Sequence, residues 1–154
     1  PGVKGLKLAA SYYDGNYMLN ENLVVEDNAE RNRLTFGGKY ENGKLTVRSE
    51  YIYGKTGMGD KFPGDYYTLK SDGFYVAAGY WFDINNVQRI RPVARYDFFR
   101  EDITEVNTNS TYYMVGIDWW PMQNLRLLVN YTLKDKVAND NFGHLFQAQL
   151  SVKF

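Results

Sequence analysis

Apolar and polar positions alternate with a period of two through eight segments of this chain. Successive side chains of an extended strand point to opposite faces, so each segment predicts a strand with one apolar and one polar face. The last nine residues are the cleanest case: Phe146, Ala148, Leu150, Val152 and Phe154 fall on one side, Gln147, Gln149, Ser151 and Lys153 on the other. The other predicted strands cover about 3–13, 33–41, 44–53, 73–82, 89–99, 111–120 and 125–133. In the second, Leu34, Phe36, Gly38 and Tyr40 oppose Arg33, Thr35, Gly37 and Lys39; in the third, Leu45, Val47, Tyr51 and Tyr53 oppose Thr46, Arg48 and Glu50. Asn42-Gly43 between them predicts a tight hairpin turn.

The connections alternate in length. Short turns are expected at 41–43, 83–88 and 121–124, and long polar loops at 14–32, 54–72, 100–110 and 134–144. Short turns on one side and long loops on the other suit a transmembrane β-barrel with strands of about 9–11 residues. Periodicity leaves open which face points inward, because a soluble ligand-binding barrel alternates in the same way with its apolar face inside. Two features favour the membrane sense. Full charges sit mid-strand on the polar face (Arg48, Glu50, Arg95, Asp97, Arg126), and aromatics gather near strand ends (Tyr12, Tyr40, Tyr80, Trp81, Phe82, Trp119, Trp120, Phe154). The expected fold is all-β, an antiparallel transmembrane β-barrel with about eight strands in this chain.

Composition agrees and narrows the chemistry. The 154 residues make one domain, 1–154, or a fragment of a larger barrel; Pro1-Gly2 is an awkward start for a chain cut by a signal peptidase and favours the fragment. Aromatics reach 17 %, with 14 Tyr and 14 Gly, and a transmembrane barrel uses Tyr, Trp and Phe as girdles at both interfaces. Eighteen basic and eighteen acidic residues cancel, so no overall field draws the chain to nucleic acid. The absence of cysteine excludes disulfides and thiolate metal sites. No stretch is long and apolar enough for a membrane helix.

Four stretches carry a family resemblance: Arg91-Pro92-Val93-Ala94-Arg95-Tyr96-Asp97, Gly116-Ile117-Asp118-Trp119-Trp120-Pro121, Leu125-Arg126-Leu127-Leu128-Val129-Asn130-Tyr131 and the terminal strand. In that order they resemble the C-terminal part of the phosphate-selective porin family, porins O and P, over about 89–154. The final Phe154 also resembles the last residue of bacterial outer-membrane proteins, which the barrel-assembly machinery reads as a signal. The resemblance implies a Gram-negative outer membrane with its lipid and lipopolysaccharide, a homotrimer of sixteen-stranded barrels, and passage of phosphate or other small anions past arginines and lysines. The chain departs from the family in having about half the strands and nothing that matches the constriction loop. Either it closes with eight strands, acting structurally or adhesively through its outer loops, or the rest of the barrel lies outside it.

Lys7, Arg33, Lys39, Arg48, Arg91, Arg95 and Arg126 are the candidate pore-lining cations, since fixed charges in a narrow path lower the cost of partly dehydrating an anion. The alternative is that they pair with Glu50, Asp97 and Asp118 and fill the interior. No catalytic residue, metal site or cofactor is expected. His144 is the only histidine, a structural residue beside a strand. Gly54-Lys55-Thr56 lacks the glycine that a phosphate loop needs five residues before it and reads as loop; Gly57, Gly59, Pro63 and Gly64 mark turns in the same segment. Glu21, Glu26, Asp27 and Glu30 lack calcium-loop spacing and read as a solvated loop.

Overall fold

The computed structural model of the chain describes residues 3–21, 24–59, 66–136 and 143–153. They form one antiparallel sheet of β1 (Leu6–Glu21), β2 (Val24–Asn42), β3 (Leu45–Gly59), β4 (Tyr66–Tyr80), β5 (Phe82–Asp83), β6 (Arg89–Arg100), β7 (Asn109–Met122), β8 (Leu125–Lys136) and β9 (Gly143–Val152). Each strand pairs with the next in a continuous meander, with β5 continuing β4 against β6. The order ends at β1 and β9, which do not pair with each other among the described residues, where the sheet is open between them.

All eight expected strands are present, and β5 is the tip of the fourth. Gly79 opposes Val93 and Phe82 opposes Ile90, three positions on along both strands, so the ladder is interrupted without slipping. Pro92 falls in the gap, and a proline has no N–H to give to a ladder. On the other side of β4 the Trp81 amide donates to the Lys44 carbonyl at 2.9 Å, continuing the β3–β4 register. At the β2–β3 turn Gly43 has a φ of 53°, which suits glycine.

The long connections differ from expectation. β1 and β2 run through most of 14–32 and pair as far as Glu21 opposite Val24; β3 and β4 enter 54–72 and pair as far as Gly59 opposite Tyr66. Gly54-Lys55-Thr56, Gly57 and Gly59 are therefore strand residues, while Pro63 and Gly64 lie outside the described residues. Beyond the apolar band both faces of a strand can be polar. The backbone ladder continues there, and only the alternation that reveals it in a sequence stops.

The register assigns the faces. Leu8, Phe36, Val47, Val76, Ala94, Val115, Val129 and Ala148 share one side, and the full charges of the mid-strands share the other. The apolar side is the exposed one: Leu8 is 76 % exposed, Val115 57 % and Phe146 68 %. No apolar side chain is buried among the described residues, and the most buried side chain is Asp118, 1 % exposed. Charged-face residues such as Tyr75 and Arg95 are covered more than their apolar-face neighbours, so the sheet curls with its charged side inward. That inversion excludes the soluble barrel, whose apolar face would be inside, and an apolar surface this large calls for lipid.

Candidate functional site

Pairing turns scattered cations into rows. On the inner face Lys7 stands opposite Lys39, Lys39 opposite Arg48, Arg48 opposite Ala77, and Ala77 opposite Arg95. Four of the seven candidate cations thus lie on one line across β1, β2, β3, β4 and β6. Like charges directly opposite each other destabilise a sheet, so packing alone gives no reason for this row. Lys39 forms an ion pair of 2.5 Å with Glu41 on its own strand. Lys7 and Arg48 form none among the described residues. Arg33 lies further toward the long-loop end, opposite Tyr13 and Gly54, exposed and also without an ion pair among the described residues.

The arginines of β6 and β8 are held differently. Arg95 donates from Nε and a terminal nitrogen to Asp97 at 2.5–3.0 Å. Asp118 collects four donors: Arg91 at 2.6 Å, Arg126 through two nitrogens at 2.8 and 3.0 Å, and the Trp120 indole at 3.0 Å. The stem of Arg91 lies across Gly79, where a Cβ would come within 3.1 Å of Arg91 Cδ. The parity of the strands explains Trp120. Trp119 takes the apolar face, so its neighbour faces inward, and one extra residue on β7 between Trp119 and Met122 forms a bulge there.

Trp81 likewise faces inward beside Tyr80, so these two tryptophans do not belong to the apolar-face girdle expected from the sequence. Instead they stack with arginines. The Arg89 guanidinium lies 4.6 Å from the centre of Trp81 and 4.9 Å from that of Trp120; Arg91 lies 4.5 Å from Trp81 and Arg126 5.9 Å from Trp120. Cation–π attraction thus joins Arg91, Trp81, Arg89, Trp120 and Arg126 into a stack near the short turns, which Asp118 closes. Sequence reasoning missed Arg89, although its period-two phase with Arg91 and Arg95 puts it on the same face; the pairing then sets it opposite Trp120.

A second group marks the outer boundary of the apolar face. Arg100 grips Asp72 through two bonds of 2.7 Å, and the Tyr51 hydroxyl donates to the same carboxylate at 3.3 Å. Both charged residues fell in expected loops. Tyr131 and His144 share a hydrogen bond of 2.5 Å on the same face, with His144 inside β9. In the connection 101–108, Asp102 accepts the Thr104 amide at 2.8 Å and hydroxyl at 2.7 Å, and these bonds hold its carboxyl below the usual aspartate range.

Glu50 forms no ion pair among the described residues, so of its three expected acids the inner wall uses Asp97 and Asp118. The side chains of Glu21, Glu26 and Asp27, and all of Phe154, lie outside the described residues; Glu30 accepts a hydrogen bond from Asn32. No group of three or more metal-ligating side chains occurs among the described residues.

The sequence profile of the family described as phosphate-selective porin O and P matches residues 9–154. No curated protein and no solved structure matches the chain.

Proposed function

Because this chain belongs to the family of phosphate-selective porins O and P, we propose that the charged face of its sheet is the wall of a pore for small anions, phosphate-like anions among them. Members of that family are outer-membrane porins of Gram-negative bacteria, and this chain is an outer-membrane porin. The observation that carries the anion reading is the row Lys7, Lys39, Arg48 and Arg95. Those cations lie side by side at a cost to the sheet, and two of them have no ion pair among the described residues.

Inside a wall of low dielectric constant such a row raises the local concentration of anions and replaces part of their hydration shell. Size is filtered by the lumen and charge by the row, with no bond made or broken. The open sheet supports a larger barrel than these strands close: β1 and β9 would each leave unpaired N–H and C=O groups in lipid. Residues 1–154 are then part of one barrel wall, its edges continued by further strands. Partners follow the same reading: lipid against the apolar face, lipopolysaccharide at the long-loop side, the assembly machinery at Phe154, and two further copies in a trimer.

Planar bilayers test the proposal. The folded protein should give ohmic steps, and in a salt gradient its reversal potential should report anion preference. Lys7→Glu with Arg48→Glu should move that potential toward cations; an unchanged potential removes the row from the mechanism, and an absence of steps removes the pore.

A further inference from the structure

Beside the cation row, on its long-loop side, the curled inner face forms a partly open cavity of about 780 Å³ whose lining is of another kind. Tyr75, Asp97 and Tyr112 form one line across β4, β6 and β7, and Gly73 with Phe99 forms the line above it. The Phe99 ring lies over Gly73: a Cβ there would come within 3.2 Å of the ring and 2.9 Å of the Phe98 carbonyl. Ile52 and Met114 complete an apolar floor. Phe99 and Ile52 are 45 % and 42 % exposed, so ring and alkyl surface is offered to whatever fills the lumen. This is unexpected on the face that carries the charges. Lipid cannot explain it, because lipid lies behind the sheet.

Charge in the cavity cancels. Arg33 and Arg95 are its cations, Glu50 and Asp97 its lining carboxylates on this face. Arg95 is already closed onto Asp97 and its guanidinium lies over Tyr75, 4.3 Å from the ring centre. An anion entering would have to displace Asp97 from Arg95 and would meet Glu50 without an ion pair, whereas Lys7 and Arg48 of the neighbouring row form no ion pair among the described residues and feel only the more distant Glu41. A neutral solute with apolar faces and many hydroxyls meets no such cost. Its ring face can lie on Phe99, and on Tyr112 where it displaces the Lys134 ammonium, which lies 5.2 Å from the centre of that ring, and its hydroxyls can donate to Glu50 and Asp97 and accept from Arg33. Ligand sites of this size commonly combine an aromatic lining with a few placed polar groups.

We propose that this cavity is a carbohydrate subsite of the lumen wall, so that the pore takes up neutral sugars as well as anions. The proposal rests on the charged face being the lumen, and its test separates the two readings. Maltose added to the folded protein in planar bilayers should interrupt the current reversibly. Phe99→Leu with Tyr112→Leu should weaken that block at least tenfold while the anion preference stays; Phe99→Tyr with Tyr112→Phe, which keeps both rings, should restore it. Maltose block of equal strength in the Leu pair, or none in the unaltered protein while phosphate is conducted, overturns the subsite. If no current is seen, the pore reading fails alone, because saturation-transfer NMR of maltose with the detergent-folded protein still reads the cavity. Transfer lost in the Leu pair and kept in the ring-retaining pair supports the subsite; transfer absent from the unaltered protein, or equal in both pairs, overturns it.

Discussion

The two halves of the inner wall hold the seven candidate cations in opposite ways. Of the four candidate cations on β1–β3, Lys7, Arg33 and Arg48 face the interior with no ion pair among the described residues, and Lys39 has one with Glu41. On β6–β8, Arg91, Arg95 and Arg126 are each locked by two-point bonds or a shared carboxylate onto Asp97 or Asp118. Formal charge counts the halves alike, but available charge does not. A paired arginine shapes and stiffens the wall, whereas an unpaired one leaves its field for whatever passes. The difference teaches that a list of arginines on the inner face is not a list of charges free to meet an anion.

The largest effect should come from breaking the locked half at its centre. Asp118→Ala strands Arg91 and Arg126 and should lower the unfolding free energy in phospholipid vesicles by about 3–5 kcal/mol, while Arg48→Ala should cost under about 1 kcal/mol. Equal losses would abolish the contrast. Next in size is the outer face as a control. Val115→Arg should cost about 2–4 kcal/mol in the same measurement, against under about 1 kcal/mol for Val93→Arg on the inner face. A smaller effect concerns selectivity: Arg48→Glu should move the reversal potential further toward cations than Arg95→Glu does, because Asp97 already cancels much of the Arg95 charge. A reversed ranking would mean that the locked arginines carry the field.

The smallest effect lies outside both halves, in the connection 101–108. The Asp102 carboxyl titrates below its ordinary 3.8, so its bonds to Thr104 are present above that pH and are lost as pH falls through the lower folded value. NMR of the Thr104 amide should follow a single titration below pH 3.8, and Asp102→Ala should abolish it; a midpoint above 3.8 would contradict the bonding described.

Where lipid meets the strand, the sequence is explicit. Lipid requires an apolar residue at every second position, and the eight strands, both faces and the Asn42-Gly43 turn could all be read from that rule. Past Tyr12, Leu34 and Tyr53 the rule lapses, and strands of polar residues looked like loops. Parity also held the answer for Trp81 and Trp120, since two adjacent strand residues cannot both face lipid and Tyr80 and Trp119 take that side. What no pattern along one chain could supply was the cross-strand register. Only pairing turns Lys7, Lys39, Arg48 and Arg95 into a row, brings Arg91 and Arg126 to one aspartate, and sets Asp72 against Arg100.

That last pair is also a depth mark. Apolar positions on the outer face stop near the Asp72–Arg100 clamp, yet β1 continues from Tyr12 to Glu21, which at ~3.3 Å per residue and a tilt near ~45° raises the rim roughly 20 Å beyond the apolar band. Salt screens charge over about 8 Å at physiological strength. The rim is therefore electrically remote from the cation row. In the proposed pore a solute would pass this rim before it enters the field of the row, so capture and selection would occur at separate heights.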